Sequence, residues 1–407
     1  MSDKPRRYVI VGNGVAGTTA AETLRKNDPE CSITLLADEP YPLYNRVALP
    51  PYLKHRTPRE KVFMRTVEQH RERRIDLRLE TRAERVDTEG RTVLTAQGQE
   101  LPYDALLVAT GGRPNPLVAE GAEGVAAIYN FQYFDEAQAI VERMRAARSA
   151  AAVGGSYIAY ELAEAFRAND LETTWLMRGP YFLRRVLDPK GGELVDQIAR
   201  HHGVNMVYGE EVARVERANG TIGAVVTNKG RRVPTEMLGA GLGMTMNLEL
   251  LADTPVETHD GILTNEHLET NVAGVYAAGD VAEFYDVTIG RHNMMGTWGN
   301  SAGHGRVAAL NMAGQRTVYE DIPMYSSGLF DSYIRVIGLT PENYPDLESF
   351  EHLDAATRSY QRLFFLEDRL VGAVLIGEMR FRTKIFACIR SKEKIPAEER
   401  AHLIESW

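Results

Sequence analysis

Apolar residues along this chain gather in short runs that end on glycine, and stretches of helical periodicity separate the runs. RRYVIVG is an apolar block of strand length. GNGVAGTTAAETLRKND follows as a turn and a helix rich in small residues, and CSITLL reads as a second strand. Alternating strand and helix patterns continue through TRAERVDTEGRTVLT to LPYDALLVATGG, a strand closed by a glycine pair. The opening then recurs at AAAVGG, again followed by a helix and by the strand ETTWLM. Two such openings predict two dinucleotide-type α/β domains. A third strand-glycine-acid element, VAGVYAAGD, ends at Asp280 and leads into GRHNMMGTWGNSAGHGRVAALNMAG, a loop and a small-residue helix. From about Tyr325 the texture becomes β-rich. SYQRLFFLEDRLVGAVLIGE predicts two strands around a turn at Glu367-Asp368-Arg369, and RTKIFACIRSKEK a helix, so the end of the chain reads as a separate α+β unit.

Composition narrows the class without naming it. The length of 407 residues calls for more than one domain, and 44% hydrophobic with 25% charged residues is ordinary for a soluble globular protein. No apolar run approaches the roughly 18 residues of a membrane span. MSDKPRR leads into the first strand without an apolar signal region, which predicts a cytoplasmic protein. A net charge of -9 argues against nucleic acid as a partner. The two cysteines, Cys31 and Cys388, form no close pair, so neither a metal framework nor a dithiol relay is legible. No metal site is expected.

The chemistry sits at the glycine turns. In Gly12-Asn13-Gly14-Val15-Ala16-Gly17, Gly12 permits the tight turn, Gly14 lets backbone approach a pyrophosphate, and Gly17 lets helix and strand pack closely. The N–H groups of Val15 and Ala16 then open a helix whose positive end faces the phosphates. The ribose acid falls to Asp38 or Glu39, because Leu35-Leu36-Ala37 delays it. In an interrupted nucleotide domain the glycines of VATGG and VYAAGD pass close to the cofactor, and Asp280 becomes a buried acceptor for a polyol chain.

With these motifs, and with YPLYNRVALPPYL, VATGGRP and DRLVGAVLIGE, the chain resembles the FAD-dependent pyridine nucleotide-disulfide oxidoreductase superfamily. It looks most like the branch holding ferredoxin and rubredoxin reductases and the flavin portion of nitrite reductase. The resemblance implies an FAD domain at residues 1–118 and 253–324, an inserted NAD(P)H domain at 119–252 and a C-terminal α+β interface domain at 325–407. It further implies that Gly12, Gly14, Val15, Ala16 and Gly17 hold the FAD pyrophosphate and Asp38 and Glu39 its ribose. Arg46 would contact the flavin, and Ala83, Thr110, Gly111, Gly279 and Asp280 would line the cofactor. Thr297 and Trp298 would lie against the flavin ring. Glu161 matches a glutamate near the meeting point of nicotinamide and flavin, so Glu161 and Trp298 are the expected catalytic pair.

Two departures matter. The lysine that many ferredoxin reductases carry soon after the arginine is missing, since the chain reads Leu49-Pro50-Pro51. No cysteine lies near YPLYNR, which disfavours disulfide-reductase and peroxidase chemistry.

The second turn is altered. Gly154 is kept, but Ser156 and Ala159 stand where the next two glycines would be, and Met177 closes the strand where a ribose acid is usual. Losing that acid costs a charged hydrogen bond of about 1.5–3 kcal/mol, roughly one to two decades in NADH affinity. Arg178 follows at once, with Arg184 and Arg185 close behind, a pattern suited to a 2′-phosphate. NADPH, NADH and no productive nicotinamide binding all stay open at this level. The leading expectation is an NAD(P)H oxidoreductase passing electrons through FAD to a small iron-sulfur or rubredoxin-like carrier, as a monomer or homodimer. Arg56, Arg59, Lys61 and Arg65, or Arg380, Arg382 and Lys384, would meet an acidic carrier. The alternatives are a flavoprotein subunit of a larger reductase, or a redox-sensing flavoprotein with a vestigial nicotinamide site.

Overall fold

The structure is a computed structural model and describes residues 5–403. The MSDK start, part of the stretch read above as free of an apolar leader, lies outside the described residues. Two compact units divide the chain. The first comprises the described residues up to Val47, Pro58–Arg113 and Thr245–Pro323, and the second Ala48–Thr57, Pro114–Met244 and the residues from Met324 onward.

The first unit is built on a five-stranded parallel sheet. Its strands run in the spatial order Val275–Ala277, Ala105–Val108, Arg7–Val11, Ser32–Leu36, Asp76–Arg78. The strand that feeds the first glycine turn is central, so the turn emerges at the carboxyl ends of the strands, where such sheets bind ligands. Strand residues are apolar on both faces because both are covered. Val9 and Val11 join Leu36, Val86, Val93, Leu106 and Val108 in one buried cluster. Helices Val15–Asn27 and Trp298–Met312 pack together with almost no side chain between them, since a Cβ on Gly305 would stand 2.1 Å from the Ala16 carbonyl oxygen. The small residues of both helices make that approach possible. The unit also holds two three-stranded sheets, one antiparallel, of Ala83–Asp87, Thr92–Thr95 and Glu100–Pro102, and one of Ile262–Thr264, Ala282–Asp286 and Arg291–Asn293.

The second unit repeats the plan. Its five parallel strands run Val204–Tyr208, Glu172–Met177, Ser149–Val153, Leu238–Ala240, Ile128–Tyr129, again with the strand before the glycine turn in the centre. The same unit contains an antiparallel sheet of five strands, ordered Met324–Leu329, Ser332–Gly338, Arg369–Ile376, Ser359–Leu366, Glu348–Asp354. Helix Arg382–Ser391 buries Ile385 and Ile389. The hairpin predicted around residues 367–369 is tighter than the sequence suggested. Glu367 and Asp368 both take positive φ, 48° and 69°, as a two-residue type I′ turn requires, and Arg369 already belongs to the returning strand.

Candidate functional site

In the first unit the turn after Arg7–Val11 is shaped by steric necessity. Gly12 has φ +107°, and a Cβ there would lie 2.2 Å from the Ala109 carbonyl oxygen. Gly14 caps the following helix in an extended conformation, with nothing within 4 Å of where its Cβ would point. The helix carries no acidic residue in its first turn, so its N–H groups face that side with their positive field intact. Gly17 closes onto Gly12, where a Cβ would come within 1.9 Å of the Gly12 carbonyl. Val15 is half-buried and Ala16 buried beneath this turn. A pyrophosphate fits such a cradle.

Several of the expected residues converge on it. Gly279, at φ +81°, lies against Ala16 and Ser301. Asp280 accepts a hydrogen bond from the Ser301 hydroxyl at 2.8 Å. Desolvation raises its pKa, opposed by Ser301 and by the charge of Arg46. Thr297 caps helix Trp298–Met312 by accepting from the Asn300 N–H, and Trp298, half-buried, begins that helix. Thr110 is clamped by Asn247. The Thr110 hydroxyl donates to the Asn247 carbonyl at 2.9 Å, the Asn247 amide donates back to the Thr110 carbonyl at 2.9 Å, and the Asn247 N–H donates to the Gly111 carbonyl at 3.0 Å.

The two candidate ribose acids separate by environment. Glu39 accepts from the Tyr44 hydroxyl at 2.8 Å and pairs with Arg46 at 3.1 Å. Asp38 is two-thirds exposed, with Arg82 at 3.4 Å. Ala83 lies on the small antiparallel sheet and packs against the core that holds Val11 and Val108.

Beneath the cradle sits a residue the sequence did not single out. His304 is fully buried, edge-on between Phe284 at 4.7 Å and Tyr319 at 4.3 Å, and neither ring nitrogen makes a well-formed hydrogen bond. Burial lowers its pKa to about 3, so the ring stays neutral at physiological pH. Only the glycines flanking it in AGHG hinted at a packed position.

The second glycine turn is also intact. Gly154 has φ +125°, and a Cβ there would stand 2.1 Å from the Gly241 carbonyl oxygen, so glycine is obligatory. Ser156 does not crowd the turn. Its hydroxyl donates to the Gly241 carbonyl at 2.8 Å and caps helix Tyr157–Ala168 through the Ala159 N–H. The hydroxyl is therefore committed to holding the turn. Met177 is fully buried, with Gly155 packed beside its Cβ. Arg178 is exposed, its closest acid being Glu211 at 4.0 Å.

Glu161, on the same helix, belongs to a buried polar cluster. The Tyr325 hydroxyl donates to its carboxylate at 2.9 Å and the Ser327 hydroxyl at 3.2 Å, while the Tyr325 ring packs at a tilt of 41° against Tyr157, 4.0 Å between ring centroids. One turn on, Glu164 pairs with Lys54 at 2.8 Å in equal burial. Desolvation dominates the Glu161 carboxyl and raises its pKa to about 7. The Tyr325 and Ser327 hydrogen bonds and the Lys54 charge restrain the rise. Tyr325 and Ser327 could not be found from sequence, because their partner lies more than 160 positions away in the chain.

Of the expected docking cations, Arg65 is committed to a bidentate pair with Glu22 at 2.6 and 3.1 Å. Arg56 lines an open cleft of about 380 Å³ together with Glu164, Arg167, His202, Phe330 and Asp331. Phe330 turns the hairpin with φ +55° and stacks on His202 at 5.1 Å.

Comparison with known proteins agrees with this geometry. Residues 6–305 match the pyridine nucleotide-disulphide oxidoreductase family, and residues 330–393 match the rubredoxin NAD+ reductase C-terminal domain. Putidaredoxin reductase of Pseudomonas putida is 30% identical over 342 residues, covering 82% of this chain and 80% of its own. Nitrite reductase [NAD(P)H] of Bacillus subtilis is 24% identical over 98% of this chain, which spans 49% of that protein. Among solved structures, a ferredoxin reductase from Rhodopseudomonas palustris superposes with a TM-score of 0.91 at 24% identity, covering 98% of both chains. An engineered water-forming NADPH oxidase bound to NADPH superposes at 0.85 with 19% identity, covering 95% of this chain and 91% of its own. Its substitutions replace a glycine and an aspartate by alanine, an alanine and a proline by arginine, and a methionine by serine. With two glycine turns on two parallel sheets and a match over most of its length, the chain belongs to the pyridine nucleotide-disulphide oxidoreductase family.

Proposed function

We propose that this protein is an FAD-dependent NAD(P)H oxidoreductase that delivers electrons to a small iron-sulfur or rubredoxin-type carrier. The observation that carries the reading is the pair of intact glycine turns, each on its own parallel sheet and each with a glycine that no other residue could replace. In the first unit Gly12, Gly14, Val15, Ala16 and Gly17 would hold the FAD pyrophosphate and Asp38 its ribose. Asp280 would accept from the ribityl hydroxyls, while Thr110, Gly111, Ala83, Arg46, Thr297 and Trp298 would line the cofactor. Bound there, FAD supplies the step from two-electron hydride uptake to one-electron release.

In the second unit Gly154, Ser156 and Arg178 would seat the nicotinamide dinucleotide, with Glu161 on the helix that follows the turn. The engineered NADPH oxidase gained two alanines, one of them in place of an aspartate, together with two arginines and a serine. This chain carries an alanine, an uncharged residue and two arginines at the same spacing, as Ala159, Met177, Arg178 and Arg184, and has Gly179 at the spacing of the serine. The putidaredoxin and rubredoxin reductases among the relatives support a small protein acceptor. The unbridged Cys31 and Cys388 fit a reducing cytoplasm.

The test is anaerobic. The purified flavoprotein is mixed with NAD(P)H and then with an acidic ferredoxin, and carrier reduction is followed. Flavin reduction without transfer to any ferredoxin or rubredoxin would overturn the acceptor assignment.

A further inference from the structure

The chain that leaves helix Trp298–Met312 returns a tyrosine to the helix's first turns. The Tyr319 N–H donates to the Glu266 carbonyl at 2.8 Å, which fixes the backbone of the returning segment. Its ring then lies on Gly303, where a Cβ would stand 3.0 Å from the Tyr319 Cε2. That close approach brings the Tyr319 hydroxyl to Asn300, where it donates to the Oδ1 at 2.7 Å. The Asn300 side-chain amide donates in turn to the Met295 carbonyl at 2.5 Å, and its backbone N–H donates to the Thr297 hydroxyl at 3.3 Å. Asn300 thus ties down both ends of the loop Met295–Thr297. Gly296, between them, lies against the Asp280 carboxylate, 3.5 Å from where its Cβ would point.

The direction of every bond in this chain is forced. The Met295 carbonyl can only accept, so the Asn300 NH2 faces it and Oδ1 faces the tyrosine, which must donate. Burial, with the charges of Asp321 and Asp286, raises the Tyr319 pKa, so the phenol keeps its proton. Phe284 at 5.3 Å and His304 at 4.3 Å meet the Tyr319 ring edge to face and hold its angle, which gives the neutral, buried His304 a use as an aromatic wall. Tyr319 is 3% exposed and Asn300 1%, so no water replaces a lost partner without rearrangement. Ser301, the next residue, donates to Asp280 at 2.8 Å. The segment that the tyrosine anchors therefore carries Thr297, Trp298 and one hydrogen bond to Asp280.

We infer, on the FAD reading above, that Tyr319 is a positioning residue for the flavin. Acting through Asn300, its hydroxyl fixes the loop before Trp298 and the surroundings of Asp280 in the arrangement that receives the cofactor.

The test compares Tyr319→Phe, which keeps the ring on Gly303 and removes only the hydroxyl, with Val307→Ala. Val307 is buried on the same helix and stands outside the hydrogen-bonded chain, so its variant controls for plain loss of stability. Each apoprotein is titrated with FAD by fluorescence, the visible circular dichroism of the bound flavin is recorded, and denaturant midpoints are measured. Tyr319→Phe should bind FAD about tenfold more weakly and alter the flavin dichroism, whereas Val307→Ala should lower the midpoint and keep both native. Native affinity and dichroism in Tyr319→Phe, or equal losses of affinity in the two variants, would overturn the positioning role and leave the FAD reading in place. Native apoprotein that takes up no FAD would overturn that reading instead.

Discussion

Single side chains set the protonation states on which the account depends. Glu161 has a folded-state pKa raised to about 7 by burial, against 4.5 for an ordinary glutamate. A carboxyl raised in the folded state is protonated there while the unfolded chain has already ionised. Its ionisation therefore costs stability as pH climbs through the window from 4.5 to about 7, on the order of 3 kcal/mol in full. We predict that the native protein loses thermal stability relative to Glu161→Gln between pH 5 and pH 8, measured by paired melting curves. Parallel curves would mean that the carboxyl is solvated. Asp280 works on ligand binding instead. Replacing it by Ala removes an acceptor whose charged hydrogen bonds are worth about 1.5–3 kcal/mol, so FAD affinity should fall roughly ten- to hundredfold by fluorescence titration of the apoprotein. An unchanged FAD affinity would remove Asp280 from the site.

Elements explain what a reading by motif leaves out. The strand-turn-helix units were legible because their signals are local. Gly12 and Gly154 fall between an apolar block and a small-residue helix, and both prove sterically irreplaceable. Ser156 was legible as a departure but not in its effect, since its partner, the Gly241 carbonyl, lies 85 residues away in the chain. The Asn247 clamp on Thr110 and the Tyr325 hydroxyl on Glu161 escaped for the same reason. The close contact of helices Val15–Asn27 and Trp298–Met312 yields a prediction at this scale. Gly305→Ala would drive a methyl into the Ala16 carbonyl, and only backbone movement relieves it. Overpacking of this kind costs about 1–3 kcal/mol, so the variant should unfold at lower denaturant and release FAD more readily than the native protein. Gly14→Ala, where a Cβ meets open space, should leave the midpoint almost unchanged while weakening FAD binding.

On the whole molecule, charge and cofactor chemistry act together. The net charge of -9 disfavours an acidic carrier unless a local basic patch overrides it. Arg380, Arg382 and Lys384 stand together at the start of a C-terminal helix, and Arg382 is close enough to Arg335 to lower its pKa, after desolvation. We predict that electron transfer to an acidic ferredoxin slows steeply as salt rises from low to physiological strength, and that Arg382→Glu with Lys384→Glu flattens the response. A rate indifferent to salt would remove electrostatic docking from the account. Anaerobic stopped-flow reduction of the flavin by NADPH and by NADH tests the relay itself. The oxidised flavin's visible absorbance should fall rapidly with NADPH and more slowly with NADH. Reduction by dithionite but by neither nicotinamide would contradict it.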